Sequence, residues 1–139
     1  MENEYLEIAS YIRKSIYKEC VLKDLVSFGK NMTGACAISS YALYKALKNK
    51  GLKVKFVLGH FDYYLNKHCW IEYKDKIIDI TATQFGNNFP DVFVIDIKNE
   101  RYKDRRYNIA ALSEVNDWLQ QSPRYHKNTI NNIIKNLKY

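Results

Sequence analysis

The sequence is poor in the residues that break or staple a chain. Of 139 residues only 2 are proline and 5 are glycine. No flexible or proline-rich linker, internal repeat or low-complexity tract divides it, so one domain over residues 1–139 is expected. Cysteine is also sparse: Cys20, Cys36 and Cys69, with no C-x-x-C pair. That odd count, without a signal peptide, favours free thiols in a reducing compartment. No apolar run approaches the ~18 residues of a transmembrane helix, so no membrane insertion is expected. The opening "MENEYLEIASYIRKS" lacks the positive and apolar regions of a secretory signal. A cytoplasmic protein is therefore expected, with delivery into another cell by a non-classical route left open.

Acidic residues are outnumbered, 15 against 22 basic, for a net charge of +7. The basic residues are scattered. Their densest cluster, "KNERYKDRRY" at 98–107, also holds Glu100 and Asp104. It reads as a solvated loop, and nucleic acid is the less favoured partner. What the chain does have is hydrophobic residues, at 47%. That is enough for a real core without metals or staples.

The apolar spacing changes period along the chain. Tyr5, Ile8, Ala9, Ile12 and Ile16 share one face of a helix within 4–19. Residues 21–33 read as a short turn or helix followed by a loop. "TGACAISSYALYKALKNKG" is a second helix, capped by Thr33 or Gly34 and ended by a left-handed Gly51. Ser39, Ala42, Leu43, Ala46 and Leu47 form its buried side. "LKVKFVLGHF", "HCWIEY", "KIIDIT" and "VFVIDI" read as strands, with a tight turn at Lys74 and Asp75. "NIAALSEVNDWLQQ" and the tail, with Ile130, Ile133, Ile134 and Leu137, return to helical spacing. Helices, then strands, then helices imply an α+β fold. Its antiparallel sheet has about 4 strands packed with helices.

The hairpin "NKHCWIEYKDKIIDIT" raises a chemical question. A two-residue turn at Lys74 and Asp75 sets Tyr73 opposite Lys76, Trp70 opposite Asp79 and His68 opposite Thr81. His68 and Asp79 are then diagonal neighbours on one face. A carboxylate beside an imidazole fixes its tautomer and favours its cation. Cys36 lies at the expected start of the second helix, where free N–H groups and the helix dipole stabilise a thiolate. Cysteine, histidine and aspartate together are the constellation of nucleophilic amide chemistry.

With those residues in place, "GACAISSYALYKALKNKGLKVKFVLGHF … HCWIEYKDKIIDIT" resembles the core of the transglutaminase-like cysteine enzymes, which share the papain-like arrangement. The resemblance covers roughly residues 34 to 85. It implies a nucleophilic Cys36 opening a helix, His68 with Trp70 in a His-x-Trp strand, and Asp79 on the next strand. Cys69 stands where a small residue such as alanine is common, and no tryptophan precedes Asp79. The superfamily includes peptidases, glutamine deamidases, acyl-transferring transglutaminases and inactive members.

The expected function is a thiol hydrolase acting on amide bonds of a protein or peptide, as a cysteine peptidase or glutamine/asparagine deamidase, with no cofactor. The alternatives are a transglutaminase-type acyltransferase and an inactive binding module with a basic surface. The basic balance favours acidic flanks on a protein substrate. Asn31 and Gln84 are candidate oxyanion donors beside the Cys36 N–H. Trp70 is a candidate shield for the Cys-His pair. His60, Cys20 and Cys69 read as structural, with Cys69 pointing away from His68. Zinc is disfavoured because the His and Cys spacing fits no common site. The loops "DYYLNK" and "ATQFGNNFPD" flank the site. They are short, so an open cleft in which water resolves the acyl-enzyme is expected.

Overall fold

The computed structural model describes residues 3–21, 35–86, 88–121 and 127–137. Among these described residues the fold is α+β, with a five-stranded antiparallel sheet and four α-helices. Helix α1 (Glu4–Ile16) runs into a π-helical turn at Tyr17–Val21, and α2 spans Cys36–Asn49. Strands β1 (Val54–Phe61), β2 (Lys67–Tyr73) and β3 (Lys76–Asp79) follow. A 3-10 turn at Ala82–Phe85 precedes β4 (Phe93–Asp96) and β5 (Tyr102–Tyr107). Helices α3 (Asn108–Gln121) and α4 (Lys127–Lys135) close the order. Among the described residues no helix is long and apolar enough to cross a membrane.

The local signals act as their chemistry dictates. Gly51 follows α2 at φ +89°, the left-handed conformation that a glycine adopts without strain. Thr33 and Gly34, the expected caps of α2, lie outside the described residues. The N-cap position is Ala35, which offers no side-chain cap, so Cys36 is the first helical residue. The turn between β2 and β3 carries Lys74 at φ +56° and closes the pairing of Tyr73 with Lys76.

Two expectations fail here. The sheet has five strands, in the order β4-β3-β2-β1-β5, where about four were expected. The extra strand is β5, and it lies inside the stretch 98–107 that reads as a solvated loop. Its charges hid it. Lys103, Asp104, Arg105 and Arg106 show no hydrophobic alternation, yet the backbone pairs with β1 from Phe61↔Tyr102 to Val57↔Tyr107. Charged side chains are what an edge strand tolerates. Arg105 turns inward to Glu72 at 2.8 Å, and Arg106 meets Glu114 at 2.7 Å. Part of the loop "ATQFGNNFPD" is also ordered differently from the expectation, as the 3-10 turn.

The sheet curls. A flat sheet would hold β4 and β5 about 19 Å apart, at ~4.8 Å per strand. The link from Asp96 to Tyr102 would have to be almost fully extended to span that. Instead it turns, with Asn99 N–H donating to the Asp96 carbonyl at 3.0 Å. Arg105 also donates to the Ile97 carbonyl at 2.6 Å, tying the two edges together.

The curl creates two cores. Cys69, Ile71, Ile78 and Ile80 face the helices and join the buried residues of α1, α2, α3 and α4. Val57, Phe61, Trp70, Ile77 and Tyr102 fill the concave face, with Phe85, Phe89 and Phe93 packed against them. Gly59 makes the closure possible. A Cβ there would meet the Trp70 ring at 2.6 Å and the Lys103 backbone carbonyl more closely still.

Candidate active site

The hairpin delivers the imidazole and the carboxylate to the concave face. Pairing runs Tyr73↔Lys76, Glu72↔Ile77 and Ile71↔Ile78. Continued by one pair, this register sets Trp70 opposite Asp79 and leaves His68 and Cys69 beyond the end of β3. His68 Nε2 donates to Asp79 Oδ2 across 2.7 Å. Both side chains are buried, at 1% and 0% exposure.

Asp79 is fully satisfied. The Thr81 N–H donates to Oδ1 at 2.9 Å and the Thr81 hydroxyl to Oδ1 at 3.3 Å. The Tyr102 hydroxyl donates to Oδ2 at 2.8 Å. Burial works against the ionised carboxyl, but His68, the Thr81 N–H and the Tyr102 hydroxyl outweigh it and hold Asp79 below its ordinary range. Burial likewise opposes the His68 cation. The Asp79 charge and hydrogen bond, followed by those of Cys36, override it and push His68 up to about 10.

Cys36 arrives from the other layer, on the first turn of α2. Its thiolate and the His68 imidazolium stabilise one another; Nε2 of that ring is committed to Asp79, and Nδ1 lies 3.0 Å from Gln84 Nε2. The thiol of Cys69 donates to Cys36 and is the largest influence on it. Burial opposes, and His68 and the Cys69 N–H add further stabilisation. The result holds Cys36 well below the ordinary thiol range, while burial and the adjacent Cys36 push Cys69 well above it. Strand β3 ends at Asp79, so His68 and Cys69 on β2 lie beyond its last residue.

His68 and Asp79, nominated from sequence, thus meet in a buried hydrogen bond, and the His68 charge stabilises the Cys36 thiolate. Trp70 fills the concave core and also flanks the site. Its ring lies 5.9 Å from His68 between centroids, and its indole N–H donates to Glu72 at 3.0 Å. Gln84 Nε2 lies 3.0 Å from His68 Nδ1 and donates to the Thr81 hydroxyl at 3.4 Å. A neutral Nδ1 accepts from that amide. A cationic ring carries a proton there and offers it to the thiolate or to the oxygen of a rotated Gln84. Asn31, the other candidate donor, lies outside the described residues. His60 stands apart, 3.2 Å from Asp104. Cys69 does point away from His68 and does fill the core, but it also stabilises the thiolate of the nucleophile candidate, which strand alternation does not reveal. Tyr102 was missed because it sits in the unread strand β5.

Aromatic side chains crowd the described part of the site. Cys36 retains 9% exposure. Phe85 stands edge-on to His68 with centroids 4.8 Å apart and stacks on Phe61 at 4.2 Å. Tyr64, from the loop after β1, packs on Phe85 at 4.6 Å. Two grooves lie elsewhere among the described residues. One of about 440 Å³ runs between α1 and α4, past Tyr11 and Ile133, and one of about 460 Å³ runs between α2 and α3, past Tyr44 and Leu112. Among the described residues, no group of three or more His, Cys, Asp or Glu side chains is arranged to hold a metal ion.

No family model, curated protein or solved structure matches this chain. The functional reading therefore rests on the chemistry of the site. A buried carboxylate fixes an imidazole, the imidazole and a second thiol stabilise a thiolate, and the thiolate opens a helix beneath an aromatic cover. That arrangement suits nucleophilic attack on an acyl carbon.

Proposed function

We propose that the chain is a thiol hydrolase of amide bonds in proteins or peptides, built on a transglutaminase-like core. The observation that carries this is the buried His68–Asp79 pair at 2.7 Å, whose imidazolium stabilises the Cys36 thiolate. Cys36 attacks the carbonyl as a thiolate. His68, a cation beside Asp79, protonates the departing nitrogen. The neutral ring that remains then takes a proton from the attacking water. Asp79 keeps Nε2 protonated, so Nδ1 is the nitrogen that exchanges protons. The Cys36 backbone N–H is the first donor to the oxyanion, and Gln84 is the side-chain amide beside the reacting sulfur.

The aromatic cover favours a second reading, acyl transfer to an amine. A thioester shielded by Phe85, Phe61 and Tyr64 meets less water than one in an open cleft. One experiment separates the readings. Candidate proteins are incubated with wild type and Cys36→Ala, with and without a primary amine, and followed by mass spectrometry. Fragments, or a gain of about one dalton at Gln or Asn, that depend on Cys36 support hydrolysis. Dominant amine incorporation supports transfer. An absence of any Cys36-dependent product across a broad proteome digest turns the reading to an inactive module with a basic surface.

A further inference from the structure

Helix α1 buries an arginine on its apolar side. Arg13 lies with Ile8, Ala9, Ile12 and Ile16 among the buried residues of the helix and is 6% exposed. A guanidinium is costly to bury unless its N–H groups find acceptors. One of its amino groups donates to the Ile80 carbonyl at 2.7 Å and to the Thr83 hydroxyl at 3.2 Å. The other meets Asp91 at 3.4 Å, and because the Asp91 side chain is 71% exposed, water screens that contact. The firm hold is therefore on Ile80 and Thr83, in the segment that follows β3.

That segment reaches His68. Thr81, next to Ile80, gives both its N–H and its hydroxyl to Asp79 Oδ1. The Thr81 carbonyl accepts from the Gln84 N–H at 3.2 Å, and the Thr83 carbonyl accepts from the Gly86 N–H at 3.2 Å. The turn closed in this way sets Gln84 Nε2 3.0 Å from His68 Nδ1 and stands the Phe85 ring edge-on to the imidazole at 4.8 Å. We propose that Arg13 is a positioning residue of the site: its grip on Ile80 and Thr83 fixes the 3-10 turn so that Gln84 and Phe85 bear on His68. Gln84 then keeps an amide beside the nitrogen that exchanges protons, and Phe85 keeps water from it. Without Arg13 the Ile80 carbonyl and the Thr83 hydroxyl lose a shared donor, and the turn is free to carry both side chains away from the ring. The use made of His68 rests on the hydrolase reading. The placement of Gln84 and Phe85 does not, because it precedes any reaction.

The test compares the full chain with Arg13→Met, Arg13→Lys, Gln84→Ala and the Arg13→Met/Gln84→Ala double variant. The readouts are the His68 ring signals in proton–carbon NMR spectra, assigned by their loss in His68→Gln, and the melting temperature. Arg13→Met is expected to displace the His68 signals. Gln84→Ala should displace them in wild type and add no further displacement once Arg13 is gone, because both changes act through one turn. Arg13→Lys keeps the charge but not the planar fork, so its signals should fall between wild type and Arg13→Met. A lower melting temperature with His68 signals at their wild-type positions would make Arg13 merely structural and overturn the proposal. Displacements that add in the double variant would also overturn it, since the two residues would then act independently. Should Arg13→Met fail to fold, Arg13→Lys decides: signals displaced towards those of Gln84→Ala support the proposal, and wild-type signals refute it. Because the readout is the resting imidazole and not turnover, a failed search for amide substrates leaves this test unaffected.

Discussion

The Tyr102 hydroxyl donates to Asp79 Oδ2 at 2.8 Å, linking an edge strand to a carboxylate three strands away in the sheet order. The two meet only because the sheet curls. Both are buried, so Tyr102→Phe leaves a carboxylate oxygen short of one donor at almost constant shape. A loss of about 1–3 kcal/mol in stability is expected. Asp79 also becomes more basic, so the acidic limb of Cys36 alkylation should move to higher pH. Denaturant melts and iodoacetamide rates against pH check both. An unchanged acidic limb would show that Tyr102 acts only on packing.

Asp79→Asn tests the carboxylate itself. Asparagine can still accept from Thr81 and Tyr102 through its oxygen, so the fold should persist. The His68 cation loses its main support, and with it Cys36 loses part of its own. Alkylation of Cys36 near pH 6 should slow about tenfold or more, while wild-type Cys36 outpaces Cys20 and Cys69. Equal rates in the two proteins would make Asp79 a purely structural group.

The raised His68 and lowered Cys36 predict a particular alkaline limit. An unfolded chain releases its histidine proton near pH 6.5 and its thiol proton near 8.5. The folded pair carries one proton, on His68, until about pH 10. Proton counts of the two states therefore match between about 6.5 and 8.5, and this pair leaves stability level there. Above about 8.5 the folded state holds the extra proton, so stability falls as pH rises toward 10. Below about 6.5 the unfolded state holds more protons, so stability falls as pH drops. Cys36→Ala removes the compensating thiol, and its alkaline loss should begin near 6.5 instead. Urea midpoints from pH 5 to 10 read this directly. A Cys36→Ala profile parallel to wild type would contradict the ion pair.

Gly59→Ala probes the closure of the sheet. The new methyl would strike the Trp70 ring and the Lys103 carbonyl on β5. Overpacking of this kind costs about 1–3 kcal/mol. Because Trp70 is fully buried beside His68, its fluorescence should change with the loss of stability. A wild-type melting temperature would mean that β5 shifts freely at this point.

Phe85→Ala removes the ring that covers His68. Faster alkylation of Cys36 by bulky reagents is expected. In turnover with an added amine, the ratio of hydrolysis to amine incorporation should rise severalfold, because water gains access to the thioester. A fall in that ratio would mean that Phe85 guides the amine and does not exclude water.

The sequence by itself determined the elements whose signals are local. Helical spacing marked α1, α2, α3 and α4, and alternation marked β1 to β4. The Lys74–Asp75 turn set the register that puts His68 and Asp79 on one face, because a two-residue turn leaves no choice of pairing. Cys36 at a helix start was legible for the same reason. Tertiary structure alone decided what crosses between elements. Strand β5 carries charges and no alternation, so only its backbone pairing with β1 reveals it. The contact of Tyr102 with Asp79 needs the curl, and the curl follows from a short link between the two sheet edges. The aromatic cover joins Tyr64, Phe61 and Phe85 from separate segments. The influence of His68 on Cys36 crosses from β2 to α2, which only the packing of that helix on the sheet decides. Periodicity reports which face of its own element a side chain takes. It carries no information about which distant atom is waiting there.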